Sequence, residues 1–158
     1  MAGKAKPIPD GYHTVTPYLV VHNANDAIAF YQKAFGAEEM FRMPGPGGKV
    51  MHAELRIGSS VIMLSDETPQ CAAMQLASPH TAKVATGSLL IYTENVDAAF
   101  ERATRAGAEA MFPPTEMFWG DRFSKVRDPF GHQWAIATHV RDVTPEEMAK
   151  AAAEFKPG

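Results

Sequence analysis

The order of apolar and polar positions predicts a strand, a helix and three further strands in the first part of the chain. Residues 14–21 (TVTPYLVV) are rich in Thr, Val and Tyr, a composition typical of β-strands. Ile28, Tyr31 and Phe35 then recur at helical spacing, and Gly36 can end the helix because glycine readily adopts a left-handed backbone. Either asparagine of the preceding HNAND can cap this helix. The three strands that follow have the sequences AEEMFRM, VMHAELRI and SVIMLSD.

A repeat in the sequence predicts that this β-α-β-β-β module occurs twice. Residues 26–41 (DAIAFYQKAFGAEEMF) align without a gap with residues 97–112 (DAAFERATRAGAEAMF), 71 positions further along. The second copy also follows a strand-like run at 88–93, and its helix is expected over about 96–106, with Gly107 as its end. A strand at 109–112, a Pro-Pro loop and the strand pair RFSKVR and HQWAIATHV complete the copy.

The two modules indicate a single domain of the α+β class. A length of 158 residues fits one domain of ordinary size with a core of its own. The sequence TPEE from Thr144 onward is a capping box with proline at the first helical position, so a helix is expected near the end of the chain. The expected boundaries are a flexible arm at 1–11, one domain at 12–158, modules at 12–66 and 88–140, a linker at 67–87 and the terminal helix at 145–155.

Composition and charge exclude several classes of partner. The chain has 15 Lys and Arg against 18 Asp and Glu, a formal net charge of −3, and no basic stripe that would favour nucleic acid. No apolar run approaches the roughly 20 residues that span a membrane, and no secretory signal is recognisable. Cys71 is the only cysteine, so an intramolecular disulfide and a cysteine-based zinc site are excluded. We therefore expect a cytoplasmic protein that interacts with neither nucleic acid nor membrane.

A hairpin in the first module predicts a pair of chemically useful side chains. A two-residue loop at Gly58-Ser59 would pair Ile57 with Ser60, which leaves His52 and Glu54 together on the face away from the helix. A histidine beside a carboxylate has the geometry of a general base or of a partial metal site. We take His52 and Glu54 as catalytic candidates, although a solvated strand face would have the same pattern.

Aromatic and cationic side chains concentrate in the second module. If Val126 faces the helices, then Phe123, Lys125 and Arg127 face a cleft. A bulge at the DPFG turn would reverse this orientation and direct Arg122 and Ser124 towards the cleft instead. Aromatic rings beside cations suit an aromatic or anionic ligand, and a tryptophan in the core with cations at the rim is the alternative. The candidates for ligand binding are Tyr18, Tyr92, Trp119, Phe123, Lys125 and Arg127.

The motifs of this chain resemble those of the vicinal oxygen chelate superfamily, which includes glyoxalase I, fosfomycin and bleomycin resistance proteins and extradiol dioxygenases. The resemblance lies in the two modules, in TPYLVVHNANDAIAFYQKAFGAE and in DPFGHQW, and it covers about residues 12–148. VMHAELRIGSSVIMLSDE and MFWGDRFSKVRDPFGHQWAIATH are similar to its PhnB-like branch. The resemblance implies strands curled into a mixed sheet around a cleft, and a homodimer.

The resemblance also implies where a metal would be held. In the metal-using members, four ligands come from the first, fourth, fifth and eighth strands, and the matching positions here are Thr16, Met63, Ser88 and Ala135. Two hydroxyls, a thioether and a methyl group cannot replace the His and Glu ligands of a divalent cation. We therefore expect no metal and no other cofactor at this place.

Two hypotheses for function follow. The first is a protein that binds a small aromatic or anionic molecule in a cleft lined by the aromatic candidates. The second is an enzyme, a lyase, isomerase or transferase, in which His52 or Glu54 is the base and Lys125 or Arg127 stabilises an oxyanion. A displaced metal site built on His52 and Glu54 is a variant of the second hypothesis.

Overall fold

A computed structural model describes residues 5–155 and contains two four-stranded mixed sheets, which confirms the α+β class and the two βαβββ modules. The chain divides into two compact units. The first unit extends to Ala85 and includes Pro129–Gly131, and the second comprises Thr86–Asp128 and the residues from His132 onward. No helix within residues 5–155 is long and apolar enough to cross a membrane.

The first unit contains one sheet with the strand order β1-β4-β3-β2. β1 and β4 are parallel, and the other neighbours are antiparallel. Two short helices follow the sheet strands. The elements are β1 (Tyr18–Val21), α1 (Ala24–Phe35), β2 (Glu38–Pro44), β3 (Val50–Ile57), β4 (Ser60–Asp66), α2 (Pro69–Ala73) and α3 (Pro79–Ala82).

The ends of α1 follow from its sequence. The side chain of Asn23, rather than Asn25, caps the helix by accepting a hydrogen bond from the backbone N–H of Asp26. Gly36 ends it with a left-handed backbone at φ 65°. Ile28 and Tyr31 are fully buried, so the predicted apolar face packs on the sheet.

The predicted register of the β3–β4 hairpin is confirmed. Ile57 pairs with Ser60, and Glu54 pairs with Met63. On β3 and β4, the residues on either side of Glu54 and Met63 are buried on the helix side of the sheet, because successive side chains of a strand point to opposite faces. The buried set is Ala53, Leu55, Ile62 and Leu64. The opposite side of this sheet, which carries His52 and Glu54, is called the open face below.

The second unit repeats this arrangement, with the strand order β5-β8-β7-β6 and β5 parallel to β8. Asn95 caps its first helix and Gly107 ends it. The two N-caps are 72 residues apart and the two helix-ending glycines 71, so the helix of the second unit is one residue shorter. The elements are β5 (Ser88–Tyr92), α4 (Val96–Ala106), β6 (Glu109–Glu116), β7 (Asp121–Arg127), β8 (Gln133–His139) and α5 (Pro145–Glu154).

The predicted Pro-Pro loop is wrong, because Pro113 and Pro114 lie inside β6. β6 is at the edge of its sheet, where a residue without an N–H can be accommodated. The register to β7 also shifts between Phe112 and Thr115, which marks an irregularity at the prolines. Edge position and bulge together allow the strand to continue through both prolines.

The segments outside the sheets differ from their expected form in detail. The linker expected at 67–87 contains α2 and α3, and each of these helices has proline in its first turn. The capping box of Thr144 and Glu147 is formed, and α5 ends at Glu154. Residues 5–11 contain neither helix nor strand, and the rest of the expected arm lies outside the described residues. The domain boundaries themselves stay predictions.

A buried carboxylate connects three elements of the first unit. Asp66 is 1% exposed at the end of β4, and its two oxygens accept hydrogen bonds from the backbone N–H groups of Ala24 at 2.9 Å and Val50 at 2.7 Å. Lys49 lies 3.7 Å from the same carboxylate. Asp66 therefore holds the start of α1 and the start of β3 against β4, and the carboxylate charge is compensated by these contacts.

We expect the substitution Asp66→Ala to destabilise the protein by about 2–5 kcal/mol, because it leaves two buried backbone N–H groups without acceptors. Urea unfolding measured by circular dichroism would give this value. Asp10→Ala is a suitable control, since Asp10 forms an exposed ion pair with Lys6, and it should change the unfolding free energy by less than about 1 kcal/mol. Equal effects of the two substitutions would contradict the role assigned to Asp66.

Candidate functional site

Three strands of the first unit bring polar side chains together on the open face. Tyr18 of β1 pairs with Met63 of β4, and Met63 pairs with Glu54 of β3. His52 lies two residues before Glu54 and therefore on the same face. The predicted neighbours His52 and Glu54 are thus adjacent in the structure, and Tyr18 is beside them.

These side chains form a continuous chain of hydrogen bonds. The hydroxyl of Tyr18 lies 2.9 Å from Nδ1 of His52, and Nε2 of His52 lies 3.1 Å from Oε1 of Glu54. The other oxygen of Glu54 accepts a hydrogen bond from the hydroxyl of Tyr12. Both nitrogens of His52 and both oxygens of Glu54 are therefore engaged, and Tyr18, which is 50% exposed, is the end of the chain open to solvent.

The contact between Tyr12 and Glu54 changes the pKa of both groups. The hydrogen bond from Tyr12 lowers the pKa of Glu54, burial opposes this change, and His52 lowers the pKa further. The pKa of Tyr12 is raised, first because its proton is held by Glu54 and then by burial. Glu54 is therefore an ionised carboxylate at neutral pH.

Tyr12 is a member of this site that the sequence pattern did not indicate. Tyr12 and Glu54 are 42 positions apart, and no periodic pattern connects the N-terminal segment with β3. A weak signal was present in the PDG sequence before Tyr12, because a turn there bonds the N–H of Tyr12 to the carbonyl of Pro9. That turn directs the chain towards β1 but does not reveal which residue Tyr12 contacts.

A cavity of about 430 Å³ lies where the N-terminal segment passes the sheet. Thr16 and Met63, two of the four positions that the family resemblance assigns to metal ligands, line it together with Tyr12 and Glu54. The Thr16 hydroxyl donates to the carbonyl of His13 at 3.4 Å. The two ligand positions therefore contribute a hydroxyl and a thioether, and the ionisable side chains in the lining are Glu54, Tyr12 and His13, whose Nε2 lies 3.0 Å from the carbonyl of Ser59.

The second unit holds the other two positions, Ser88 on β5 and Ala135 on β8. A methyl group provides no ligand, and a serine hydroxyl is a weak one. Within residues 5–155, no three His, Cys, Asp or Glu side chains converge in an arrangement that could hold a metal ion. The donor set at the four family positions does not fit a divalent cation.

A larger cavity of about 900 Å³ lies in the first unit, between the open face and the segment after β4. Tyr18, Val20 and Ser65 form its sheet side, and the loop before β3 adds Lys49. The segment expected to be a linker forms the opposite wall, a contribution that the sequence pattern did not indicate. The wall residues are Glu67, Thr68, Pro69, Gln70, Cys71, Met74 and Leu76.

Cys71 is the thiol of this cavity wall. It is 8% exposed and belongs to α2, where the hydroxyl of Thr68 donates to its sulfur at 3.4 Å. Thr68 also caps α2 by accepting from the N–H of Cys71. The thiol is thus a fixed part of the wall rather than a free surface group.

The orientation of β7 follows the first of the two alternatives derived from the sequence. Ser124 and Val126 are fully buried, and Arg122 forms a double hydrogen bond with Asp97 of α4. The alternate side chains therefore point to the other side of the sheet, without a shift at the DPFG turn. That set consists of Phe123, Lys125 and Arg127.

The cationic candidates of β7 differ in their partners. Arg127 donates to Glu109 of β6 at 2.8 Å, so an exposed ion pair already engages its charge. Lys125 is half-buried and forms no ion pair with any residue between positions 5 and 155. Of the two predicted anion-binding residues, Lys125 is the one whose charge is available.

The aromatic candidates of the second unit pack on one another. The rings of Trp119 and Phe123 are 5.8 Å apart in an edge-on arrangement, and Phe118 contacts both Trp119 and Phe155. Phe112 is 6.2 Å from Phe123. Trp119 and Phe123 are therefore members of an aromatic cluster that extends to the end of α5.

Tyr92 of the second unit takes part in a separate polar network. Its hydroxyl donates to Asp121 at 3.0 Å, and Asp121 and Asp142 contact the two nitrogens of His139 at 2.9 and 3.0 Å. The pKa of His139 is raised by its hydrogen bonds with Asp142 and then Asp121, and the pKa of Tyr92 is raised by Asp121. The candidates thus lie in two units, with Tyr18, His52 and Glu54 together in the first.

Comparison with known proteins gives consistent matches. A family model described as the Glyoxalase/Bleomycin resistance protein/Dioxygenase superfamily matches residues 12–136. An uncharacterized protein of Mycobacterium bovis is 41% identical over 137 residues, which cover 87% of this chain and 90% of that protein. Protein YjdN of Escherichia coli is 29% identical over 146 residues, with 77% and 92% covered. The crystal structure of TioX from Micromonospora sp. ML1 matches with a TM-score of 0.62 at 26% identity and covers 81% of this chain and 99% of TioX.

The contact between Tyr12 and Glu54 predicts an acid-dependent loss of stability. The pKa of Glu54 is lower in the folded protein than in the unfolded chain, so the ionised carboxylate stabilises the fold. This contribution to the free energy of unfolding is fully present above the ordinary glutamate pKa of about 4.3, and it is lost as the pH falls through the lower pKa of the folded state. Tyr12→Phe should therefore cost about 1–2 kcal/mol at pH 5 and markedly less at pH 3. Urea unfolding at the two pH values would measure this difference.

Tyr18→Phe is the matched control for this experiment, because it removes a hydroxyl bonded to His52 instead of to a carboxylate. Its effect should change less between pH 5 and pH 3 than that of Tyr12→Phe, because the partner of the Tyr18 hydroxyl is not a carboxylate. A cost of Tyr12→Phe that does not change between the two pH values would contradict the assignment.

Proposed function

The chain belongs to the Glyoxalase/Bleomycin resistance protein/Dioxygenase superfamily, and on that premise we propose that it binds a small, largely apolar aromatic molecule in the larger cavity of its first unit. The observation that carries the proposal is the cavity itself. Its volume of about 900 Å³ is within the range of small-molecule sites, which are typically apolar with a few polar groups. The M. bovis relative is uncharacterized and suggests no ligand of its own.

The residues around the cavity favour an aromatic ligand. Val20 and Leu76 offer aliphatic surface, and Tyr18 offers the face of a phenol ring. Met51 and Met74 add thioether side chains, which adapt to ligand shape and make favourable contacts with aromatic rings. Burial of one aromatic ring system against such walls is the main source of affinity in this proposal.

The charges around the cavity favour a neutral ligand over an anionic one. Lys49 and Glu67 both line it, so that one cation is balanced by one carboxylate. Lys49 also lies 3.7 Å from Asp66, which reduces the attraction it can offer to a ligand anion. Glu67 stays ionised, because burial raises its pKa but the hydrogen bonds from Ser78 and Thr81 lower it by more.

One thiol makes this proposal directly testable. Because Cys71 is the only cysteine and lines the cavity, a bound molecule should shield it from alkylation by N-ethylmaleimide. With 2-naphthol as the probe at saturating concentration, we expect the alkylation rate measured by mass spectrometry to fall by about fivefold or more. Binding of 2-naphthol in calorimetry without any protection of Cys71 would place the ligand elsewhere and contradict the proposal.

The double variant Cys71→Ser, Ala98→Cys provides the control. Ala98 is exposed on α4 in the second unit and is not a lining residue of the cavity. Its new thiol should react at the same rate with and without 2-naphthol. Protection of this thiol would indicate a non-specific effect of the probe.

We also propose that the protein binds its ligand without a metal. The support is the donor chemistry of the four family positions, Thr16, Met63, Ser88 and Ala135, which lack the anionic and imidazole ligands that a divalent cation requires. Elemental analysis should therefore find zinc, nickel, iron and manganese well below one ion per chain. Treatment with EDTA should leave the protection of Cys71 unchanged, and its loss with EDTA would contradict this part of the proposal.

A second candidate function is catalysis with His52 and Glu54 as the base. The 3.1 Å contact between His52 and Glu54 favours it, since a carboxylate beside an imidazole is a common arrangement in general acid–base catalysis. Lyase, isomerase and transferase reactions fit such a base. Tyr18 shields Nδ1 of His52 at 2.9 Å, so a substrate would meet the Tyr18 hydroxyl first.

The homodimer, the PhnB-like branch and the cytoplasmic location stay proposals of the same kind. Support for a second copy comes from the edge strand β2, where apolar side chains are exposed. Met40, Phe41 and Met43 are each more than a third exposed. Apolar side chains clustered on an edge strand are typical of a surface that another chain covers.

A further inference from the structure

The positions of the protons in the hydrogen-bonded chain of the first unit follow from its geometry. A glutamate carboxylate only accepts hydrogen bonds, and Glu54 has Tyr12 at one oxygen and Nε2 of His52 at the other. Nε2 of His52 must then carry a proton in order to donate to Glu54. A neutral imidazole with its proton on Nε2 has an unprotonated Nδ1, which is an acceptor.

The proton of Tyr18 is fixed by the same reasoning. Its hydroxyl lies 2.9 Å from Nδ1 of His52, so beside a neutral imidazole with its proton on Nε2 the phenol donates its single proton to Nδ1. The Tyr18 oxygen can then only accept a hydrogen bond from a ligand. Because Tyr18 lines the larger cavity and is 50% exposed, its oxygen is the polar atom through which this hydrogen-bond network can contact a ligand.

We propose that Tyr18 is a specificity residue, held by His52 and Glu54 as a hydrogen-bond acceptor, and that the cavity therefore selects aromatic molecules that carry a donor, such as a phenol or an aryl amide N–H. The inference rests on the proposed function and identifies the ligand class within it. An aryl ether of the same shape would find no donor at Tyr18 and would leave the Tyr18 oxygen unpaired. His52 and Glu54 act through Tyr18 and are positioning residues.

Other polar groups of the cavity do not provide an equivalent preference. The hydroxyl of Thr68 donates to the sulfur of Cys71 and accepts from the N–H of Cys71, so both of its roles are used within α2, and Lys49 can only donate. Glu67 can only accept, but its two oxygens already accept three hydrogen bonds, from the N–H and hydroxyl of Ser78 and from the hydroxyl of Thr81. Ser65 and Gln70 can donate as well as accept, so they discriminate weakly between a phenol and its ether. A preference for donors that depends on Tyr18 is therefore specific to this hydrogen-bonded chain.

The test compares 2-naphthol with 2-methoxynaphthalene at pH 8, where imidazoles are ordinarily neutral. Fluorescence titration should give a Kd for 2-naphthol about fivefold to tenfold lower than for the ether, the effect of one net hydrogen bond. In Tyr18→Phe the two Kd values should become similar, with the ether bound about as tightly as in the parent protein. Equal Kd values in the parent, or a preference that survives Tyr18→Phe, would overturn the inference.

A second measurement needs no ligand. Two-dimensional ¹⁵N NMR at pH 8 distinguishes the protonated from the unprotonated ring nitrogen of each of the six histidines, and His52→Gln identifies the signals of His52 by their loss. We expect the proton of His52 on Nε2. A proton on Nδ1 would mean that Tyr18 accepts from His52 and is free to donate, and this result would overturn the inference even if 2-naphthol binds.

The outcomes separate this inference from the proposal on which it rests. If both naphthalenes bind with equal Kd and protect Cys71, the cavity is a ligand site and only the role of Tyr18 is wrong. If neither compound binds, the proposed function is contradicted and the inference falls with it.

Discussion

The alternation of side chains across the first sheet is the constraint on which the site depends. The loop at Gly58-Ser59 fixes the pairing of β3 with β4, and a slip of one residue would move every side chain of β3 to the other face. His52 and Glu54 would then lie under α1, and Ala53 would face the cavity side. The buried carboxylate of Asp66 supports the same register from the other end of the strands, since it binds the start of β3.

The local part of this structure could be predicted from the sequence, because each element is determined by neighbouring residues. Residues close in sequence were enough to predict that α1 and α4 end at Gly36 and Gly107. The same is true of the register of the β3–β4 hairpin. The superfamily and the two modules followed from motifs that occur in order and twice. The strand through Pro113 and Pro114 was missed, because whether a proline is tolerated depends on edge position, which is a property of the whole sheet.

The candidate site was predicted only in part, for the same physical reason. His52 and Glu54 share one strand, so their proximity could be inferred from spacing. Tyr12 and the wall around Cys71 come from segments without a periodic pattern, and their contacts to the sheet join residues that are tens of positions apart in the sequence. Trp119 and Phe123 were expected to line a ligand cleft, and that role stays a prediction. In the second unit the two rings contact each other, Trp119 also contacts Phe118, and Phe123 also contacts Phe112.

The central claim is that the first unit holds its ligand in the larger cavity, at Tyr18. A crystal structure of the protein soaked with 2-naphthol tests it most directly. We expect density for the naphthalene between the open face and α2, with its oxygen within about 3 Å of the Tyr18 oxygen, the distance of an O–H···O hydrogen bond. A cavity that stays empty while the compound occupies another site, or a divalent cation bound at Thr16 and Met63, would contradict it.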